Sequence, residues 1–203
     1  MRIIAHRRNT IADLKATPRD CGVEVDIRSQ GDRLVIHHDP FQAGESFDAW
    51  IAEYKHGTLI LNVKEEGLEQ RLIALMRARG IDDWFFLDQS FPFLLKTVAT
   101  GERRTALRVS EYESIETVMS LAGKVDWVWV DCFTRFPLDR AAWMRLKDAG
   151  FRLCLVSPEL VGRAPEPEIL GLRTMFADWG VEPDAVCTKL ATMALWTVAM
   201  QRS

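Results

Sequence analysis

Cysteine is sparse in this sequence, and charge of one sign is missing. Cys21, Cys132, Cys154 and Cys187 are spread across 203 residues. Three of them lie in apolar, strand-like runs, which suggests neither a disulfide scaffold nor a zinc motif and predicts buried free thiols. Lys and Arg number 26 against 29 Asp and Glu, for a net charge of -3 with no long basic block. Bulk electrostatics therefore point to neither nucleic acid nor an anionic membrane as partner. Long apolar runs are missing too: the opening Met1 to His6 is too short for a signal-peptide core, and no later stretch reaches a spanning length without charge. A cytoplasmic protein without integral membrane association is the expectation. What is present is 48% hydrophobic and 27% charged residues, enough apolar material for one large core. One domain over residues 1–203 follows.

Short apolar runs alternate with amphipathic stretches. The runs are Arg2 to Ala5, Val23 to Ile27, Leu34 to His37, Leu59 to Lys64, Trp84 to Leu87, Thr105 to Val109, Trp127 to Asp131, Arg152 to Val156 and Ala185 to Thr188. Their composition is that of buried strands. Helices are predicted over Glu69 to Arg79, Phe93 to Thr100, Ser114 to Ala122, Arg140 to Ala149 and Pro167 to Trp179, each followed by glycine within a residue, with a closing helix over Ala191 to Gln201. With the Leu34 run counted as an extension of the second strand, eight βα units remain, the number that closes a parallel barrel. The prediction is a compact α/β fold, a (β/α)8 TIM barrel without a large inserted subdomain. An open doubly wound sheet is the alternative, favoured if Thr105 to Val109 is not a strand.

Strand parity then places the polar residues. In Val23 to Arg28 the apolar residues Val23, Val25 and Ile27 must face the helices, so Glu24, Asp26 and Arg28 point inward. The two carboxylates stand roughly 7 Å apart on one strand face, a costly arrangement without a cation or a raised pKa. In Leu59 to Lys64 the same argument turns Asn62 and Lys64 inward. His6 and Arg7 follow the first strand, and His38 and Asp39 follow the second strand's extension. Taken singly, each has a structural reading: a solvated strand face, a hydrogen-bonded histidine, or a turn at Asp39-Pro40. Their convergence at C-terminal strand ends, where this architecture builds active sites, favours function. Trp127 and Trp129 share a face with Asp131; if that face is the interior, Asp131 reaches the mouth. Arg108 and Glu159 are weaker candidates of the same kind.

The ordered series His6-Arg7, Glu24-x-Asp26 and Gly31-Asp32 followed by His38-Asp39-Pro40 resembles the glycerophosphodiester phosphodiesterase family of phospholipase-C-like barrels. Asn62-x-Lys64 resembles that family's third-strand Glu-x-Lys, and Glu182 to Thr188 resembles its last-strand pattern. The resemblance implies His6 and His38 as general acid and base. It implies Glu24, Asp26 and the position of Asn62 as ligands of a divalent cation, Mg2+ or Ca2+. Arg7 and Lys64 would grip the phosphate of a small-molecule phosphodiester; Asp131, placed by strand parity and not by the resemblance, is a further candidate for substrate hydroxyls or else an exposed strand-end residue. Hard oxygen donors suit such ions, and phosphoryl displacement needs charge neutralisation with a proton acceptor and donor.

Two departures accompany the resemblance. Asn62 stands where the family usually supplies a carboxylate, for which Glu65 or Glu66 would have to compensate. Arg8 follows His6-Arg7 where the family usually has glycine, so it either crowds the loop or adds a phosphate contact. The stretch Phe41 to Gly57 is also short where many members carry a subdomain, implying a more open mouth. The expected function is a metal-dependent phosphodiesterase acting on a small glycerol- or sugar-linked diester. A lyase or phosphatase on the same scaffold, or a decayed phospho-ligand binding protein, are the alternatives.

Overall fold

The computed structural model describes residues 1–197. Its strands are β1 (Arg2–Ala5), β2 (Gly22–Gln30), β3 (Arg33–Ile36), β4 (Glu45–Ser46), β5 (Leu59–Val63), β6 (Trp84–Leu87), β7 (Ala106–Val109), β8 (Trp127–Val130), β9 (Arg152–Val156) and β10 (Ala185–Thr188). From β1 the parallel sheet runs one way through β2 and β5 to β6, and the other way through β10, β9 and β8 to β7. The sheet curls on itself: Phe86 of β6 bridges Thr105, the residue before β7, in parallel, and the Phe86 N–H donates to the Arg104 carbonyl at 2.9 Å. β7 pairs with β8 from Ala106 with Trp127 to Val109 with Val130, so the condition that favoured an open sheet is not met. Beyond the parallel portion, β2 continues as a hairpin with β3, turning at Gly31 (φ 60°), and β4 pairs with β3.

Apolar side chains pack on both faces of this sheet, as the period of two requires. Inside are Ile4, Ile60, Phe85, Leu87, Trp127, Trp129, Cys154 and Cys187, with the Phe85 and Trp127 rings stacked at 4.5 Å. Outside, Val23, Val25, Ile27, Leu59 and Leu61 meet one set of helices, and Val128, Val130, Leu153 and Leu155 meet another. Trp127 and Trp129 therefore take the interior row, and Asp131 is buried in register with them. All four cysteines are buried and free.

The helices are α1 (Ile11–Ala16), α2 (Phe47–Glu53), α3 (Glu69–Arg79), α4 (Phe91–Ala99), α5 (Ile115–Met119), α6 (Arg140–Asp148), α7 (Pro165–Trp179) and α8 (Met193–Thr197). Gly80 and Gly180 end α3 and α7 in the left-handed conformation expected of them. α5 is shorter than Ser114 to Ala122, because after Met119 the chain tightens into three-residue turns, Leu121 to Val118 and Ala122 to Met119. The short α1 and α2 carry too few turns for a periodicity to read, and they form on caps: Thr10 and Ser46 accept from the amides three residues on. The closing helix begins at Met193 after a 3-10 turn at Leu190–Thr192, and the remainder of the expected Ala191 to Gln201 stretch lies outside the described residues.

Candidate active site

Where β1 ends, the chain crosses the end of β2. His6 N–H donates to the Thr188 carbonyl at 2.9 Å, and Arg8 N–H to the Glu24 carbonyl at 2.8 Å. Between them Arg7 is left-handed (φ 49°), unusual for a residue other than glycine, and this turn aims its N–H at Glu24 Oε2, 2.7 Å away. Glu24 Oε1 accepts from Asn62 Nδ2, also at 2.7 Å. Asp26 is gripped by Asn9, whose Nδ2 donates to Oδ2 at 2.7 Å while its Oδ1 accepts from the Asp26 N–H at 3.0 Å. Lys64 Nζ lies 3.3 Å from Asp26 Oδ1, and Arg7 Nε 3.6 Å from Oδ2. Glu24 and Asp26 have no exposure, so the interior carboxylates read from parity are real. Their repulsion is relieved by Lys64, Arg7, Asn9 and Asn62 of the chain itself.

Burial, and then the Asp26 charge, push the Glu24 carboxyl up to about 7 against the pull of the Asn62 and Arg7 donors. Burial and the Arg7, Lys64 and Lys189 charges push His6 down to about 4, against the opposing Asp26. His6 is thus neutral at neutral pH and able to accept a proton. Its 3.9 Å approach to Glu24 is then a polar contact without ion pairing.

From Lys64 the charges continue around the mouth. Lys64 Nζ donates to Asp88 Oδ2 at 2.9 Å, Asp88 Oδ1 pairs with Arg108, and Arg108 Nη1 lies 3.5 Å from Asp131 Oδ2. Asp88 follows β6 with φ 60°, a second left-handed residue at a strand end. Burial outweighs Arg108 and draws the Asp131 carboxyl up, while Lys64 and Arg108 together outweigh burial and hold Asp88 down.

His38 sits on the loop after β3, its side chain 40% exposed and its Nδ1 2.8 Å from Asp39 Oδ1. Arg28 ties this loop to the end of β5: Nε and Nη2 donate to the His38 carbonyl at 3.2 and 2.8 Å, and Nη1 donates to the Lys64 carbonyl at 3.1 Å. The structure thus groups His6, Arg7, Glu24, Asp26, Asn62 and Lys64 by direct contact. Asp131 joins through Arg108 and Asp88, and His38 is joined through Arg28.

Several expectations are corrected. Glu65 accepts from the Ser29 N–H, and Glu66 from the Ser90 hydroxyl, so neither replaces the carboxylate absent at Asn62. Arg8 turns toward α1, donating to the Asp13 carbonyl and carboxylate at 3.1 Å, and adds no charge to the site. Glu159 accepts from Ser157, Thr188, Thr192 and the Lys189 N–H, a clamp joining the ends of β9 and β10. Asn9 and Asp88 had no sequence signal beyond standing just after a strand.

The donor set bears on a cation. Among the described residues no group of three His, Cys, Asp or Glu is disposed to hold a metal ion. Two buried oxygens, however, lack a hydrogen bond: Asn62 Oδ1, and Asp26 Oδ1, which has only the Lys64 ammonium 3.3 Å away. Buried acceptors without donors are rare, and with Glu24 they make an all-oxygen set of two carboxylates and one amide carbonyl, which fits a hard divalent ion.

No family model matches the sequence, and no curated protein matches it. Among solved structures, it is similar to a glycerophosphodiester phosphodiesterase from Agrobacterium tumefaciens, 16% identical with a TM-score of 0.65 over 97% of this chain and 98% of that one. It is also similar to a glycerophosphoryl diester phosphodiesterase from Parabacteroides distasonis, 14% identical with a TM-score of 0.66 over 95% of this chain and 84% of that one. Over nearly its whole length, the chain shares the fold of solved glycerophosphodiester phosphodiesterases.

Proposed function

We propose that the chain is a phosphoric diester hydrolase of the glycerophosphodiester phosphodiesterase family, acting on a small glycerol- or sugar-linked phosphodiester. The observation that carries this reading is His6 beside the buried Glu24, with Asp26, Asn62, Arg7 and Lys64 in one contact network at the strand ends. The sheet is read as a (β/α)8 barrel closed at the Phe86–Thr105 bridge, with its active site at the C-terminal mouth.

In this reading Arg7 and Lys64 bind the anionic phosphate. His6 takes the proton from the attacking hydroxyl, a hydroxyl of the substrate itself or a water. His38, its Nδ1 held by Asp39, gives a proton from Nε2 to the departing alkoxide. Where the substrate's own hydroxyl attacks, a cyclic diester forms and water opens it with the two roles reversed. Asp131 accepts from a substrate hydroxyl. Glu24, Asp26 and the Asn62 carbonyl oxygen would hold Mg2+ or Ca2+, which supplies neutralisation of charge on the phosphoryl oxygens. Asn9 and Arg28 hold Asp26 and the His38 loop in place.

The test is turnover of bis(p-nitrophenyl) phosphate and glycerophosphocholine by the purified protein with Mg2+ or Ca2+. Loss in both His6→Ala and His38→Ala is expected, and full activity in both overturns the assignment. Phosphorus NMR separates hydrolysis from release of the cyclic diester. A second reading, a phospho-ligand binding protein without turnover, is favoured by one observation: Asn62 replaces a carboxylate and spends its amide on Glu24. Calorimetric binding of phosphate without turnover of any diester would select it.

A further inference from the structure

β6 meets the residue ahead of β7 through one bridge, Phe86 with Thr105, and among the described residues no ladder follows it toward the mouth. At this seam, between α4 and α5, lies a cavity of about 670 Å³. That is within the range of about 300–1,000 Å³ typical of small-molecule pockets. Its walls hold two kinds of group. Phe91, Leu94, Leu107 and Tyr112 present apolar and aromatic surface, while Asp88 and Arg108 stand at the end nearest the charged mouth. Asp88 bonds Lys64, and Lys64 touches Asp26, so the cavity adjoins the groups assigned to the phosphate by one ion pair.

Phe91 is 43% and Tyr112 76% exposed, and the Tyr112 ring lies 6.0 Å from that of Phe133. Aromatic faces left in water beside a cavity mark a place for an apolar ligand. The charges in the wall do not suit a charged group, because Arg108 is shared among Asp88, Glu113 and Asp131. The backbone that carries Tyr112 is also held: its N–H donates to Ser110 Oγ at 3.1 Å, and neighbouring Glu111 accepts from the amides of Phe133, Thr134 and Arg135. The loop behind this wall is therefore held in place.

We propose that this seam cavity is the subsite for the leaving alcohol of the substrate, and that it takes an aromatic or similarly bulky apolar alcohol. This deepens the phosphodiesterase reading and rests on it. The glycerol or sugar side then faces Asp131, with the phosphate at Arg7 and Lys64.

The experiment compares glycerol benzyl phosphate with glycerol ethyl phosphate, whose leaving alkoxides are of similar basicity. Wild type should show the lower KM for the benzyl diester. Thr117→Trp, at an exposed wall position, fills the cavity and should raise that KM on the order of tenfold, leaving the ethyl diester unchanged. Phe91→Ala, which removes an exposed wall, should move KM in the same direction by a smaller factor. Unchanged benzyl-to-ethyl ratios in both variants overturn the subsite. Calorimetry with benzyl phosphate needs no turnover: weaker binding in both variants supports the cavity, and equal binding in both overturns it. If no diester is hydrolysed, the phosphodiesterase reading falls while the calorimetry still decides the cavity.

Discussion

Asn62 donates its amide to Glu24 across 2.7 Å, and the other end of that amide, Oδ1, is left buried without a donor. One side chain thus satisfies one carboxylate and offers one oxygen to a cation. Replacing it by a carboxylate removes the donor and adds a third negative charge to Glu24 and Asp26. Asn62→Asp is expected to melt at a lower temperature without divalent ions and to bind Mg2+ or Ca2+ about tenfold more tightly than wild type. Thermal melts with and without each ion check this, and an ion response equal to that of wild type counts against Asn62 lying at a cation site.

Lys64 stands between two carboxylates, 3.3 Å from Asp26 and 2.9 Å from Asp88. Lys64→Met keeps much of the apolar stem and removes the nearer cation, leaving Asp26 buried with Asn9 and the more distant Arg7 as its partners. A loss of about 3 kcal/mol is expected by urea denaturation, the scale for breaking one partner out of a buried pair. Adding Asp26→Asn should recover part of it, since the two residues share one interaction.

Glu111 fastens the loop after β7 to the loop after β8. Partial burial pushes its carboxyl up, but the Arg135 and Thr134 N–H groups and the Thr134 hydroxyl outweigh this and draw it down to about 2. An unfolded glutamate titrates near about 4.3. The depressed folded value means the stabilisation is fully present above the unfolded pKa and is lost as pH falls toward 2. Glu111→Gln should therefore be less stable than wild type at pH 6, with the gap narrowing below about pH 4.5 and closing near pH 2. Denaturation midpoints across that range measure it; a gap independent of pH refutes the role given to this carboxylate.

Trp50 is completely buried between Phe47 and Tyr54, and its Nε1 donates to the Arg8 carbonyl at 2.8 Å. It thereby anchors the segment that presents His6 and Arg7. Trp50→Phe leaves that carbonyl unpaired and creates space, for an expected cost of about 1–3 kcal/mol. Activity on a diester should fall through a lower kcat and a higher KM together, because Arg7 and His6 are carried on the same loosened segment. Steady-state kinetics after correction for folded fraction would show it, and unchanged kcat would detach Trp50 from the site.

The sequence by itself determined which strand residues face the interior. Val23, Val25 and Ile27, or Leu59, Leu61 and Val63, can be buried against helices only on one face, and this forces Glu24, Asp26 and Asn62 to the other. Run length and spacing likewise determined the eight parallel strands and the larger helices. Parity alone left the Trp127 and Trp129 row open, since both faces of β8 are apolar, and the packing of Trp127 on Phe85 decided it.

Only the tertiary structure decided who partners whom. Asp26 lies in register with Asn62 across β2 and β5, yet the Asn62 amide reaches diagonally to Glu24, a choice no spacing encodes. Arg7 and Asp88 adopt left-handed backbones, where the alternation that assigns faces no longer holds, so their aim follows from the turn. Asn9 and Arg28 reach residues 17 and 10 positions away, contacts that exist only once β1, β2 and the β3 loop are side by side. A strand's pleat is local and can be read along the chain; the pairing of charges depends on distances that folding alone creates.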